Sequence, residues 1–402
     1  MNSRRNIVIG AILLVALTFL ATAGGALYLF DRMVPDTTGA MKLMRAIDVV
    51  RSRYIEEVPI ERLMSGAIRG MVNSLNDPYS IYMDAKMYKE FRMETEGSFS
   101  GVGIVISVKD KSLMVVSPIE GTPGEKAGIR SGDQILKIDG QDTKDLALDE
   151  AVGKIRGKEG TDVTLTLRRG DKVREVKLTR ANIQIKTVSS RMLPEKIAVI
   201  RLSMFNEQTA GEFSKQYEAM EAQGMKALIL DLRDNPGGLL DSSVRIANKL
   251  VPKGPVVSVV TRDGEKEVHY SKLEQVKYPL AVLVNGGSAS ASEIVAGAVQ
   301  DTGAGTLIGT KTFGKGSVQS IVKLSNDTAI KLTIAKYATP KNRFINGIGI
   351  EPDVKVENPE HKNGMESMPG RLPFANKEGQ PGADALPDLQ MEAAINLLKG
   401  KI

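Results

Sequence analysis

Residues 280–293 read Leu280-Ala281-Val282-Leu283-Val284-Asn285-Gly286-Gly287-Ser288-Ala289-Ser290-Ala291-Ser292-Glu293. An unbroken apolar run of this length reads as a strand buried on both faces, the kind that parallel sheets contain. Gly286-Gly287 permits a sharp turn, and the small residues after it open a helix. Backbone N–H groups at a helix N-terminus favour negative charge. Ser290 falls on that first turn, where a developing alkoxide or oxyanion would be stabilised. Ser288 and Ser292 are rival nucleophiles for the same reason. Ser290 and Glu293 also match a capping box, so a purely structural serine competes with the chemical one.

Outward from this stretch, strands are expected at 197–202, 227–232, 256–261, 280–285 and 306–309, with helices between several of them. Such alternation predicts an α/β core with a mainly parallel sheet flanked by helices. Segments 318–324 and 329–338 read as an antiparallel extension. Asp231-Leu232-Arg233-Asp234-Asn235-Pro236-Gly237-Gly238 ends the second strand and turns at the carboxyl edge of the sheet, where ligands bind in open α/β folds. Gly237 or Gly238 is expected to donate an N–H to an oxyanion, with Ala291 as the second donor. A plain tight turn is the competing reading.

A serine nucleophile needs a base. The chain has two histidines, His269 in a strand-like segment and His361 in a linker, and neither has a catalytic setting. Lys315, inside Thr312-Phe313-Gly314-Lys315-Gly316-Ser317, is the natural substitute, because Ser-Lys pairs are one solution to the triad problem. An ordinary lysine titrates near about 10.4, so burial or a cationic neighbour must keep this one neutral. A solvated loop lysine is the bland alternative. Gly314 and Gly316 are expected to let Lys315 approach Ser290, and Gln319 to orient it.

A second pattern lies upstream. Ser100-Gly101-Val102-Gly103-Ile104 starts a strand, followed by Pro123-Gly124-Glu125-Lys126-Ala127-Gly128-Ile129 and by Gly132-Asp133-Gln134-Ile135-Leu136-Lys137-Ile138-Asp139-Gly140. The loop at 100–104 looks like the carboxylate-binding loop of a PDZ domain. Successive N–H groups of Val102, Gly103 and Ile104 can converge on a terminal carboxylate. The bound peptide would add as a strand to the sheet edge. Leu148 and Val152, on one face of the next helix, would line a pocket for its last apolar side chain. Gly101 starts the loop.

The three segments 231–238, 287–293 and 312–319, in this order and spacing, resemble the carboxy-terminal processing proteases, also called tail-specific serine proteases. The resemblance covers roughly residues 40–400. It implies Ser290 as nucleophile, Lys315 as base and Gln319 as its partner, in a fold with a protease core, an inserted PDZ-like β-barrel domain and helical N- and C-terminal arms. No metal or organic cofactor is implied. It also implies homodimers formed through the terminal segments, here 38–96 and 384–400, and a PDZ-like module that gates the site. A non-catalytic PDZ-bearing scaffold or chaperone is the alternative of another class.

The chain holds 402 residues with a slight basic excess of +6 and no basic run, so nucleic acid is not an expected partner. Absent cysteine excludes disulfides, thiolate chemistry and cysteine-ligated zinc. Arg4 and Arg5 precede an apolar run at 7–30, long enough to cross a hydrocarbon layer of about 30 Å. It reads as an uncleaved membrane anchor, with Ala21-Thr22-Ala23 as an alternative signal-cleavage site. The positive flank would stay in the cytoplasm and the rest would lie outside a bacterial cell membrane, or be secreted after cleavage. The expected divisions are 1–32 anchor, 33–96 helical arm, 97–181 PDZ-like domain, 182–356 protease core, and 357–402 linker and short helix. Partners expected are protein tails with free carboxyl ends, a second copy of the chain, the membrane and an adaptor protein.

Overall fold

The computed structural model describes residues 13–25, 28, 37–109, 112–144, 146–325, 327–359 and 387–402. The chain forms two compact units, 1–82 and 83–402. In the first, helices Thr37–Arg53 and Ile60–Asn73 follow the helical residues 13–25. Asp77 closes the turn after them, accepting from the Tyr79 N–H at 3.1 Å and the Ser80 hydroxyl at 2.6 Å. Part of the expected anchor, at 7–12, 26–27 and 29–30, lies outside the described residues. Among the described residues no helix is long and apolar enough to cross a membrane.

The second unit holds both sequence patterns. Helix Ala85–Glu96 starts on Asp84, whose carboxylate accepts from the Met87 N–H, and ends at Gly97 with φ 70°. Strand Ser98–Gly101 then pairs antiparallel with Ala181–Gln184, a two-stranded neck where the chain enters and leaves the next module. The module's sheet runs Ile104–Lys109, Ser112–Pro118, Gln134–Ile138, Asp162–Arg169, Lys172–Thr179, with Gln141–Asp142 beside Gln134–Ile138. Its core joins Leu113, Val115, Ile135, Ile138, Leu165 and Leu167 to Ala151 and Ile155 of helix Leu148–Ile155. The expected barrel is not closed. Ile104–Lys109 stays an edge strand, because the neck takes the preceding strand away and helix Leu148–Ile155 packs beside the edge instead.

The rest of this unit is built on a six-stranded sheet in the order Val188–Met192, Ile197–Leu202, Ala227–Asp231, Leu280–Val284, Thr306–Gly309, Val354–Lys355. Every pair is parallel except the first, so the expectation of a mainly parallel sheet holds. Every residue of Ala227–Asp231 and Leu280–Val284 is buried, as strands covered on both faces require. Helices Thr209–Ala222, Leu240–Ala247 and Ala291–Thr302 cover one face, with Phe213, Ile246 and Val295 in the shared core.

Two expectations change here. The strand expected at 256–261 is not in the parallel sheet. Gly254–Thr261 belongs to an antiparallel sheet with Lys266–Ser271, Ala329–Ala338 and Ser317–Lys323. The cause is local: Asp263-Gly264 makes a tight turn, with Gly264 at φ 83° and the Thr261 N–H donating to the Glu265 carbonyl at 3.0 Å, and a hairpin forces antiparallel pairing. The tail helix Leu389–Lys399 is also not a free arm. Its Met391, Ala394 and Leu398 cover the second face of the parallel sheet, against Val199, Ile229, Leu283 and Ile308. Without that cover, four strands would expose an apolar face to water.

Candidate active site

Two carboxyl-edge turns are stitched together at the end of the parallel sheet. Asn285 Oδ1 accepts from the Asp234 N–H at 2.9 Å and the Gly287 N–H at 3.0 Å. The Ser288 hydroxyl donates to the Leu232 carbonyl at 2.8 Å, and the Ser292 hydroxyl to the Asn235 carbonyl at 2.9 Å. Both of these serines are fully buried, whereas Ser290 between them is only partly so. The rivalry among the three is thereby narrowed: two hydroxyls are committed to backbone carbonyls in the interior and one reaches a surface.

Ser290 has φ 53° and ψ −112°. An ordinary N-cap is extended, so this backbone departs from usual cap geometry. Backbone of this kind costs on the order of 1–3 kcal/mol in a non-glycine residue and gathers at functional sites. Glu293 is the capping-box partner of Ser290, and its carboxylate accepts from the Ser290 N–H at 2.9 Å.

The same carboxylate reaches the lysine loop. Glu293 Oε2 also accepts from the Lys315 N–H at 2.8 Å, and Oε1 accepts from the Gly314 N–H at 2.8 Å and the Thr312 hydroxyl at 2.6 Å. Tyr337, buried in strand Ala329–Ala338, places its hydroxyl 2.6 Å from the Lys315 carbonyl and 3.0 Å from that of Ser290. Sequence reasoning saw Glu293 only as the end of a capping box and missed Tyr337, which no local pattern marks.

The expected role of the flanking glycines is corrected. A side chain on Gly314 would lie 2.8 Å from the Gly349 nitrogen, and one on Gly316 2.6 Å from the Asn346 nitrogen. They make room for the 346–349 loop rather than for Ser290. Gln319 donates its amide to the Ser317 hydroxyl at 2.9 Å and lies 3.4 Å from the Thr333 hydroxyl.

Gly237 lies directly against the serine turn, since a Cβ there would fall 2.8 Å from the Ser290 Cβ. Its N–H donates to Asn235 Oδ1 at 2.9 Å. That bond withdraws one of the two expected glycine donors. Gly238, at φ 140°, cannot carry a side chain, because its Cβ would come within van der Waals overlap of the Phe205 carbonyl. The N–H groups of Gly238 and Ala291 have no protein acceptor among the described residues.

In the upstream module Val102 is buried, and Gly103 at φ 71° lies against Thr122. The Val102 and Gly103 carbonyls are held by the Gly124 and Ile119 N–H groups at 2.7 and 2.8 Å, which fixes the loop from Gly101 to Ile104. Ile104 opens the edge strand, whose outer side pairs with no other strand among the described residues. Leu148 is exposed and Val152 half-buried on the helix beside it. His269 faces Glu267 at 3.6 Å on strand Lys266–Ser271, and its Nε2 has no hydrogen-bond partner among the described residues. His361 lies outside the described residues.

Comparisons with known proteins agree with this architecture. The profile of peptidase family S41 matches residues 196–356, that of the activating protease CtpB N-terminal domain residues 31–87, and that of the PDZ domain residues 114–169. The chain is 38% identical over 358 residues to the carboxy-terminal processing protease CtpA of Bacillus subtilis, covering 88% of this chain and 77% of that protein. It is 40% identical over 377 residues to the carboxy-terminal-processing protease of Bartonella bacilliformis, covering 88% and 86%. A solved photosystem II D1 C-terminal processing protease is 31% identical, covering 79% of this chain and 92% of that one, with a TM-score of 0.47. This chain therefore belongs to the carboxy-terminal processing serine proteases of peptidase family S41 and carries a PDZ domain.

Proposed function

We propose that the chain is an endopeptidase with a Ser290–Lys315 catalytic pair, which captures the free carboxyl tail of a protein in its PDZ domain and cuts near that end. Neutral Lys315 takes the proton from Ser290 as Oγ bonds to the scissile carbonyl carbon. The oxyanion points to the N–H groups of Gly238 and Ala291. The C–N bond then breaks, the lysine proton passes to the leaving amine, and water hydrolyses the acyl-serine by the reverse sequence. Gln319 orients the lysine. The observation that carries this reading is the shared fastening of the two backbones, with Glu293 accepting from both N–H groups and Tyr337 lying between both carbonyls. The buried commitment of Ser288 and Ser292 supports Ser290 among the three serines.

The PDZ arm of the proposal rests on the edge strand beginning at Ile104 and on the apolar Leu148 and Val152 beside it. Amidating the terminal carboxyl of a peptide substrate removes the anion that the loop would hold. Turnover is expected to fall by about tenfold or more, the worth of one or two charge-assisted hydrogen bonds. Equal turnover of free and amidated peptides would contradict tail capture. The apolar, positively flanked segment at 7–30 supports action outside the cytoplasm, tethered to the membrane or released by signal cleavage. Homodimers and an adaptor protein are part of the same proposal. The tail helix has its apolar face on the core, so the self-association we propose uses the first unit, where Met41, Met44, Tyr54 and Ile55 are exposed.

A further inference from the structure

Every polar lone pair of one buried carboxylate is occupied beside the reaction centre. Glu293 is 0% exposed and sits in the first turn of helix Ala291–Thr302. A carboxylate accepts at about four lone-pair sites and donates nothing while ionised. All of those sites are filled: Oε2 by the N–H groups of Ser290 and Lys315, Oε1 by the Gly314 N–H and the Thr312 hydroxyl. The Thr312 oxygen in turn accepts from the Ile350 N–H at 2.7 Å, which adds the 346–350 loop to the cluster. Tyr337 closes the opposite side. Its hydroxyl carries a single proton between the Ser290 and Lys315 carbonyls, nearer to Lys315. Burial first, and the neighbouring Glu293 charge second, push the Tyr337 phenol well above its usual range and keep that proton in place.

We infer that Glu293 and Tyr337 are positioning residues that set the distance and angle between nucleophile and base by holding both residues' backbones, the carboxylate through the N–H groups and the phenol through the carbonyls. Both side chains act on backbone groups of Ser290 and Lys315. The inference rests on the Ser290–Lys315 reading and adds to it a device that neither residue's own segment supplies. Ser290 lies on the turn before a helix and Lys315 on a loop beyond the next strand. The Phe313 N–H, which donates to the Ser288 carbonyl at 3.1 Å, joins the same two segments, whereas Glu293 and Tyr337 act on residues 290 and 315 themselves. A misplacement of about 1 Å between reacting groups costs on the order of 100-fold in rate.

Glutamine has the shape of glutamate but only one accepting oxygen, and its amide nitrogen must face two of the four donors. In full-length Glu293→Gln, kcat on an apolar-tailed peptide is expected to fall by about 30-fold with KM within about twofold, because the PDZ domain that captures the tail is untouched. Tyr337→Phe, which removes a single oxygen, is expected to lower kcat by about five- to tenfold with the same KM. The number and affinity of tail-binding sites per chain, measured with a labelled peptide, should match wild type in both. A role confined to stability would instead lower the folded fraction and the number of binding sites together. Should Glu293→Gln not fold, Tyr337→Phe decides the matter alone. If Ser290→Ala and Lys315→Ala abolish cleavage while the folded positioning variants keep kcat within about twofold of wild type, the inference is wrong and the catalytic reading stands. If Ser290→Ala or Lys315→Ala retains wild-type cleavage, the catalytic reading itself is wrong, and this inference goes with it.

Discussion

Ser290→Ala and Lys315→Ala should each lower peptide cleavage by about a thousandfold or more while leaving the fold intact. Members of a nucleophile–base unit fail together, since neither the alkoxide nor the proton relay exists without the other, so the double variant should be little worse than either single one. The fold should survive for separate reasons at the two positions. Ser290 sits at a strained φ of 53°, and the bonds that stitch its turn are made by Ser288, Ser292 and Asn285. Alanine at 315 keeps the N–H and the carbonyl that Glu293 and Tyr337 hold. Circular dichroism melts beside steady-state rates on one peptide check this. Additive losses in the double variant would mean that the two residues do not act as one unit.

The largest expected effect on stability is that of Arg233→Ala. The Arg233 guanidinium is nearly buried and bridges two carboxylates, Asp231 at 2.8 and 2.9 Å and Asp388 at 2.7 and 3.0 Å. Asp231 closes a central strand and is buried. Asp388 caps the tail helix through the Met391 N–H at 3.1 Å. Removing the cation leaves the Asp231 charge in the interior with Arg201 at 3.6 Å as its remaining ion-pair partner. Breaking a buried pair in this way costs on the order of 3–5 kcal/mol. The tail helix loses this ion pair to the core at the same time, while its apolar packing on the sheet remains. A melting temperature lower by about 4–7 °C is expected for a unit of this size, and a change under about 1 °C would contradict the bridging role.

The same bridge gives a signed pH dependence. Burial alone would raise the Asp388 carboxyl, but the Arg233 hydrogen bonds and charge outweigh it and hold the group below its ordinary value of 3.8. In the acid range the folded chain therefore binds fewer protons here than the unfolded chain. This contribution is complete above about pH 5 and is lost as the pH falls through 3.8 and below. Denaturant melts between pH 5 and pH 3 should show wild type losing stability faster than Arg233→Ala, which has no such bridge to lose. Parallel losses would contradict it.

Much of this was legible in the sequence because the governing signals are local. A five-residue apolar run, a glycine pair and a small-residue helix start are contiguous at 280–293 and need no tertiary information. The PDZ pattern is likewise contiguous, and the loop at Gly101–Ile104 sits where expected, though its sheet is open rather than barrel-like. What failed was long-range. Gly254–Thr261 is apolar enough for either sheet, and only the Asp263-Gly264 turn decides the matter. The tail helix reads as an arm because its partners, from Ile197 to Ile308, lie far away in the chain. Glu293 meets the Ser290 requirement at three residues' distance, which the sequence displays, and the Lys315 requirement across a whole helix and strand, which it does not. Gly237 illustrates the limit of motif reading: the turn is in place, but a single Asn235 hydrogen bond takes up the N–H assigned to catalysis.

Trapping the acyl-enzyme interrogates the covalent step itself. An activated ester of an apolar-tailed peptide, quenched in acid within the first turnover and digested for mass mapping, should leave the acyl group on the fragment containing Ser290. The adduct should be missing from Lys315→Ala over the same interval. An adduct on Ser288 or Ser292, or full cleavage with no covalent species at any quench time, would contradict a lysine-activated serine at position 290.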